Sequence, residues 1–320
     1  MAPLELEFEL ETNEVQKEER TTTFTALGMT GSGKTCYIIG MHYVMVSGEK
    51  GWTLHPGDNR TADKLNRWVR KIDNENSGMD RFPAGTDQGS SENFCFGLHY
   101  VNKQIMNFNW IDYAGALFEE TSSLGFREVE NSISNSTALY IFIDGTELCD
   151  ENRNRRFKNI KQHCARYIQP CITDFINNYN DFVPPVVFVV TKSDLCRNYT
   201  NTKEIVEILR DSFNSLFYDT RAEVYVTAVT LGDDISDNGY TGEVEPVNIQ
   251  IPFFIGIHHE LVRRYRENQI ETEEEKILYR KMISNMTDAL YEKREFFEII
   301  RGDKNGGSIK PFDLEEWRIF

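Results

Sequence analysis

Eight consecutive residues, Gly28-Met29-Thr30-Gly31-Ser32-Gly33-Lys34-Thr35, fit the pattern G-x-x-x-x-G-K-[ST]. These types at this spacing suit phosphate. The glycines let backbone N–H groups turn inward around the oxygens, the lysine ammonium reaches the outer phosphates, and the threonine hydroxyl can take a divalent cation. Cys36 follows directly and reads as packing on the first helix. The motif has meaning only between a strand and a helix, and both are expected. Thr22–Leu27, TTFTAL, is β-branched and aromatic, hence a short strand, and KTCYIIGMHYVMVSG reads as a buried helix ended by Gly48. A nucleoside triphosphate is the expected ligand; the loop does not say which.

Residues further on discriminate. WIDYAG places Asp112 and Gly115 at the end of an apolar strand. There a carboxylate can hold magnesium through water, and a glycine three residues later can offer its N–H to a γ-phosphate. VVFVVTKSD ends a second buried strand with Thr191-Lys192-Ser193-Asp194. An aspartate here can accept from both N1 and N2 of guanine, a donor pair adenine lacks, which is worth roughly several kcal/mol of discrimination. Lys192 would lay its stem along the base. The alternative for this tetrapeptide is an ordinary Ser/Asp helix cap after a strand. Thr227-Ala228-Val229, at the end of the last strand, would let a backbone N–H approach guanine O6.

The surrounding elements alternate. GWTLH reads as a short strand, and TADKLNRWVRKIDN as a helix with Thr61 as N-cap. ENSGMDRFPAGTDQGSS reads as an exposed loop, and NFCFGLHYV with QIMNFNWID as an antiparallel pair. ALYIFID, PPVVFVVTKSD and AEVYVTAV are buried strands separated by amphipathic helices, with Pro170 expected to bend or break the first of these. Residues 271–320 read mostly as one long helix, including Phe296, Phe297, Ile299 and Ile300; it either docks on its own domain or offers a partner-binding face. The expected fold class is α/β: a doubly wound, mostly parallel sheet with helices on both faces and a C-terminal helical extension. The expected organisation is an acidic segment 1–21, a nucleotide-binding domain 22–268 carrying an insertion at 51–85, and an extension 269–320.

A net charge of −16 over 320 residues argues against nucleic acid or an anionic membrane as the main partner. The acidic runs in residues 1–20 and Glu271–Glu275 read as solvated faces. The six cysteines show no C-x-x-C pair, and His258-His259 belong to no ligand-like cluster. No apolar stretch approaches the ~18 residues that span a bilayer, so a cytoplasmic protein without membrane insertion is expected.

In this order, each at the end of a strand, the four motifs resemble the translation-factor-like (TRAFAC) class of P-loop GTPases over residues 22–265. The FPAGT run is, more loosely, similar to bacterial GTPases of the double-GTPase group associated with conflict systems. The resemblance implies a Ras-like fold that binds GTP or GDP with Mg2+ and switches between the two states. It further implies Lys34 on the β- and γ-phosphates, Thr35 on Mg2+, Asp112 on the metal through water, Gly115 sensing the γ-phosphate, and Lys192 with Asp194 on guanine. Thr86 would be the switch threonine that binds Mg2+ only with the γ-phosphate present, with Ser90 or Ser91 as alternatives. One departure stands out: Ala116 occupies the position where many relatives carry a water-orienting glutamine, so intrinsic hydrolysis is expected to be slow. Glu119 and Glu120 read as solvated acids. Arg81 and Arg127 read as ordinary surface arginines or as a cis arginine finger. The missing group would otherwise come from a protein partner or a second copy, through the switch regions or the C-terminal helix. Two other readings stand beside the GTPase: an ATP-using P-loop protein, which leaves Asp194 without a task, and a GTP/GDP-stabilised interaction module with little turnover.

Overall fold

The computed structural model describes residues 22–74, 80–83, 91–118, 129–130, 133–179, 183–233, 235, 242–267, 270 and 272–318. Thr86, Ser90, Glu119, Glu120, Arg127 and the acidic segment 1–21 lie outside the described residues.

Nine strands form one sheet: β1 Thr22–Leu27, β2 Trp52–Pro56, β3 Ser91–Tyr100, β4 Lys103–Tyr113, β5 Ala138–Asp144, β6 Val186–Thr191, β7 Glu223–Ala228, β8 Phe297–Arg301 and β9 Ser308–Lys310. Their order is β2-β3-β4-β1-β5-β6-β7-β8-β9. The central run β4-β1-β5-β6-β7 is parallel, and antiparallel strands extend it at both ends. Side chains alternate across it as the pleat requires: Tyr140 and Phe142 of β5 enter one core layer, and Leu139, Ile141 and Ile143 the other. Helices α1 Lys34–Ser47 and α2 Asn59–Ile72 cover the first layer; α3 Arg153–Ile160, α4 Arg166–Asn177 and α5 Thr202–Ser212 cover the second; α6 Gln250–Arg266 and α7 Glu273–Glu292 return to the first. This is the doubly wound α/β fold. Among the described residues no helix is long and apolar enough to cross a membrane.

Several local expectations are corrected. The N-cap of α2 is Asp58, whose carboxylate accepts the Thr61 N–H at 2.7 Å. Thr61 sits one turn inside, and its hydroxyl accepts the Cys95 N–H from β3 at 3.2 Å. Pro170 does not end its helix. The irregularity falls one turn earlier, as a π turn over Lys161–Ala165 between α3 and α4. A proline removes one donor and crowds the preceding turn, and the wider π turn absorbs that upstream. The C-terminal region is not one helix. α7 ends at Glu292, and the chain returns as β8 beside β7. Phe297 and Ile299 face one core layer and Ile300 the other, a period of two that excludes a helical stripe. α7 itself docks on its own domain through Met282, Met286 and Leu290. The acidic run before it is more than a solvated face: Thr272 and Glu275 form a capping box, and Glu273–Glu275 occupy the first turn, where the helix dipole favours anions. Residues 51–72 add β2 to the sheet edge and lay α2 over it.

Candidate nucleotide-binding site

The turn from β1 into α1 needs two left-handed residues, Gly31 (φ 82°) and Gly33 (φ 81°), and a Cβ at Gly33 would press on the Thr191 side chain at 3.1 Å. Lys34 Nζ donates to the carbonyls of Gly28 (2.7 Å) and Met29 (3.2 Å). Burial pushes this ammonium below its ordinary pKa, against the pull of the Asp112 charge. Thr35 Oγ1 donates to Asp112 Oδ2 at 2.7 Å. The parallel register Ala26↔Asp112 sets that contact, carrying the end of β4 alongside the loop that leaves β1. Gly115 packs so closely on the loop that a Cβ there would lie 2.0 Å from the Thr30 nitrogen. Burial pushes the Cys36 thiol up to about 12, which suits a packed and unreactive cysteine.

On the other side of the cavity, the Thr191 hydroxyl lies 2.9 Å from Ser32 O and 3.2 Å from Ile143 O, tying β6 to the phosphate loop. Lys192, left-handed at φ 50°, donates from Nζ to Gly31 O (3.0 Å) and Asp144 Oδ2 (2.6 Å). Asp144 is held in turn by the N–H and hydroxyl of Thr146, at 2.9 and 2.7 Å. Asp194 Oδ1 accepts from Thr230 Oγ1 at 2.8 Å, whereas Oδ2 is buried without a hydrogen-bond partner. Burial raises the Asp194 pKa, and the Thr230 hydroxyl opposes the rise.

A cavity of about 630 Å³ joins these groups. Its lining includes Thr30, Gly31, Ser32, Gly33, Lys34, Thr35, Cys36, Gly115, Thr191 and Lys192. Gly28 and Met29 stand behind the loop as acceptors for Lys34, Asp112 behind Thr35, and Asp194 behind Thr230. Of the expected Thr227-Ala228-Val229 contact, only Val229 lines the cavity. Thr227 turns its hydroxyl to Phe296 O at 3.2 Å, and the Val229 N–H is still engaged in sheet pairing with Val190 O at 2.8 Å. The chain therefore meets the cavity later, through Val229, Thr230 and Leu231. Thr230, Leu231, Asp144 and Thr146 carry no motif in the sequence, whereas Phe82 and Pro83, which also line the cavity, open the FPAGT run. A hydroxyl residue just past the strand after Thr191–Asp194 was the only signal for Thr230.

Arg81 is not a surface arginine. It is 1% exposed, with Nε donating to Ile72 O and Nη1 to Gly242 O, both at 2.8 Å. Ser91, the alternative to Thr86, is an exposed residue opening β3 opposite Tyr113. His258 is buried and bonded to Thr287 (3.0 Å), and His259 is half-buried beside the Tyr225 hydroxyl (2.7 Å). Among the described residues no group of three or more His, Cys, Asp or Glu could hold a metal ion. The adjacent Thr35 hydroxyl and Asp112 carboxylate are nevertheless oxygen donors of the kind magnesium takes when phosphate and water complete its shell, so the residues fit that ion.

A phosphate loop after β1, a D-x-x-G turn packed against it and a buried carboxylate at the end of β6 make the protein a P-loop GTPase by class. It belongs to the Double-GTPase 2 family, whose model matches residues 24–237, more than half of the chain. Among solved structures it is similar to the SRb-GTP/SRX signal recognition particle receptor complex of Chaetomium thermophilum (14% identity, 68% of this chain and 93% of that one, TM-score 0.38). It is also similar to nucleolar GTP-binding protein 1 of Plasmodium falciparum (12% identity, 82% and 96%, TM-score 0.38). A third is an ADP-ribosylation factor-like GTP-binding protein/small COPII coat GTPase of Encephalitozoon cuniculi in complex with GDP (10% identity, 70% and 76%, TM-score 0.32). No curated protein matches the chain.

Proposed function

We propose that the protein binds GTP with Mg2+ and hydrolyses it slowly to GDP and phosphate, the nucleotide state controlling an interaction with a protein partner or a second copy, in the cytoplasm. The observation that carries this reading is Asp194. One of its oxygens is held by Thr230 and the other is buried and unpartnered, and a buried carboxylate oxygen without a donor is unfavourable by about 1–3 kcal/mol until one arrives. The N1–H and N2–H pair of guanine supplies it. Lys192, tied to both Gly31 and Asp144, holds its stem for the base, and the stretch Val229–Leu231, which lines the cavity, would lie by O6.

At the other end Lys34 exchanges its carbonyl partners for the β- and γ-phosphates, and Gly115 offers its N–H to the γ-phosphate. Thr35 would ligate magnesium directly, Asp112 through water, and Thr86 in the triphosphate state. Magnesium held by these residues would supply positive charge against that developing on the phosphates. Ala116 has no group to orient the attacking water, which supports a slow intrinsic rate and a stimulating group from elsewhere. The same residue favours the second reading, an interaction module that binds GTP or GDP and hardly turns over. Residues 22–268 form the GTPase unit in this account, and 269–320 an extension that completes the sheet. GTP turnover measured across a range of protein concentrations separates the readings. A specific rate that rises with concentration supports self-stimulated hydrolysis, and no turnover at any concentration leaves only the binding module.

A further inference from the structure

From the sequence Arg81 reads as an ordinary surface arginine or as a cis arginine finger. Instead its guanidinium is buried and joins two segments remote in sequence, the end of α2 at Ile72 O and the loop after β7 at Gly242 O. Both acceptors suit a cation: Ile72 is the last residue of α2, where the helix dipole is negative, and a buried guanidinium needs carbonyls in place of water. The Gly242 side of this link leads to the base-reading residues. Gly232 lies so near Glu243 that a Cβ would meet the Glu243 carbonyl oxygen at 2.3 Å, and the Glu245 N–H donates to Leu231 O at 2.8 Å. Leu231 follows Thr230, which holds Asp194. The two residues after Arg81, Phe82 and Pro83, line the cavity together with Leu231.

We propose that Arg81 is a positioning residue that latches Phe82 and Pro83 against the base-reading loop, closing the base end of the pocket and setting how long the nucleotide stays bound. The inference rests on the pocket being a guanine-nucleotide site, and it assigns Arg81 a task opposite to that of an arginine finger. A finger acts on the γ-phosphate and leaves release alone. A latch acts on release, and to the same degree for GTP and GDP, because on this proposal Phe82 and Pro83 would close over the base and ribose that the two nucleotides share.

The test follows release of fluorescent mant-GDP and mant-GTP analogues chased with unlabelled nucleotide, for the full chain carrying Arg81→Ala, Arg81→Lys, Phe82→Ala and the Arg81→Ala/Phe82→Ala pair. Losing the fork, with its bonds to Ile72 O and Gly242 O, is expected to speed release by about 10- to 100-fold for both nucleotides. Arg81→Lys, which keeps one point charge in place of the fork, recovers only part of the wild-type residence time. Because Arg81 acts through Phe82, the double variant releases no faster than the faster single variant, whereas a general loosening of the fold would make the two effects add. Should Arg81→Ala not yield folded protein, Arg81→Lys is read by the same criterion. Wild-type release rates in Arg81→Ala, or additive effects in the double variant, overturn the latch. So does a fall in single-turnover hydrolysis with release untouched, which is the signature of a finger. Failure of the wild-type protein to retain mant-GDP would instead refute the guanine site itself.

Discussion

Thr230→Val probes the guanine site at a residue that touches the aspartate and not the phosphates. The hydroxyl donates to Asp194 Oδ1 at 2.8 Å and accepts the Gly232 N–H at 3.2 Å. Gly232 O, 3.0 Å away, is the alternative acceptor for the same proton; valine keeps the shape and removes every one of these contacts. A hydrogen bond to a charged group is worth about 1.5–3 kcal/mol, and a neutral one about 1 kcal/mol. Asp194 can escape part of the loss by taking a proton. Burial already raises its pKa, the Thr230 hydroxyl opposes that rise, and the variant therefore protonates at higher pH than the wild type. A protonated carboxyl cannot accept from both N1–H and N2–H, so guanine affinity falls as pH drops through the raised pKa. Without nucleotide the sign reverses. The raised pKa favours the protonated folded form, so stability from this group falls as pH climbs from the ordinary carboxylate range through the folded pKa. Calorimetric titration at pH 7.5 should show GDP binding weakened by about 10- to 100-fold, equivalent to about 1.4–2.7 kcal/mol. The deficit should widen towards pH 5.5, and IDP, which lacks the 2-amino group, should lose less. Wild-type GDP affinity for Thr230→Val throughout this range would refute the reasoning.

Three further outcomes are expected. Gly115→Ala places a methyl 2.0 Å from the Thr30 nitrogen and 2.4 Å from the Met29 carbonyl carbon, backbone atoms with no rotamer to yield. The overlap should cost about 1–3 kcal/mol and weaken a GTP analogue more than GDP in paired titrations. Ala116→Gln supplies an amide that can orient water, and single-turnover hydrolysis should rise by roughly an order of magnitude. Trp317 is 7% exposed and packs at 4.6 Å between ring centroids on both His258 and Phe312, so Trp317→Ala should lower unfolding free energy by about 3–5 kcal/mol in denaturant titrations, with GDP affinity within twofold of wild type.

Much of the site was legible because its chemistry is local. The glycines of the loop, Lys34 and Thr35 act within one strand–turn–helix, and Asp112 and Asp194 stand where buried strands end, so reading the strands placed them. The misreadings share a cause in long-range geometry. Arg81 looks like any polar-loop arginine, since one carbonyl that buries it belongs to Gly242, 161 residues away. Thr227-Ala228-Val229 marks the end of an apolar run, but pairing to β6 continues through Val229, so that of the three only Val229 lines the cavity and Thr230 and Leu231 continue it. Phe296 to Ile300 follow a long helix without a proline or glycine to mark a boundary, and only the partner β7 makes a strand of them. Thr272 and Glu275 carry a capping signature that charge alone obscured.

On the proposed reading, Asp194 is the residue that makes this pocket select guanine. Competition against mant-GDP by GDP, ADP and XDP, for the wild type and for Asp194→Asn, tests it most directly. GDP should displace the probe from the wild-type protein at concentrations at least about 100-fold below ADP. Asn replaces one acceptor with a donor, so preference should pass to XDP in the variant. Equal displacement by GDP and ADP, a preference for ADP, or an Asp194→Asn protein that still selects GDP would contradict it.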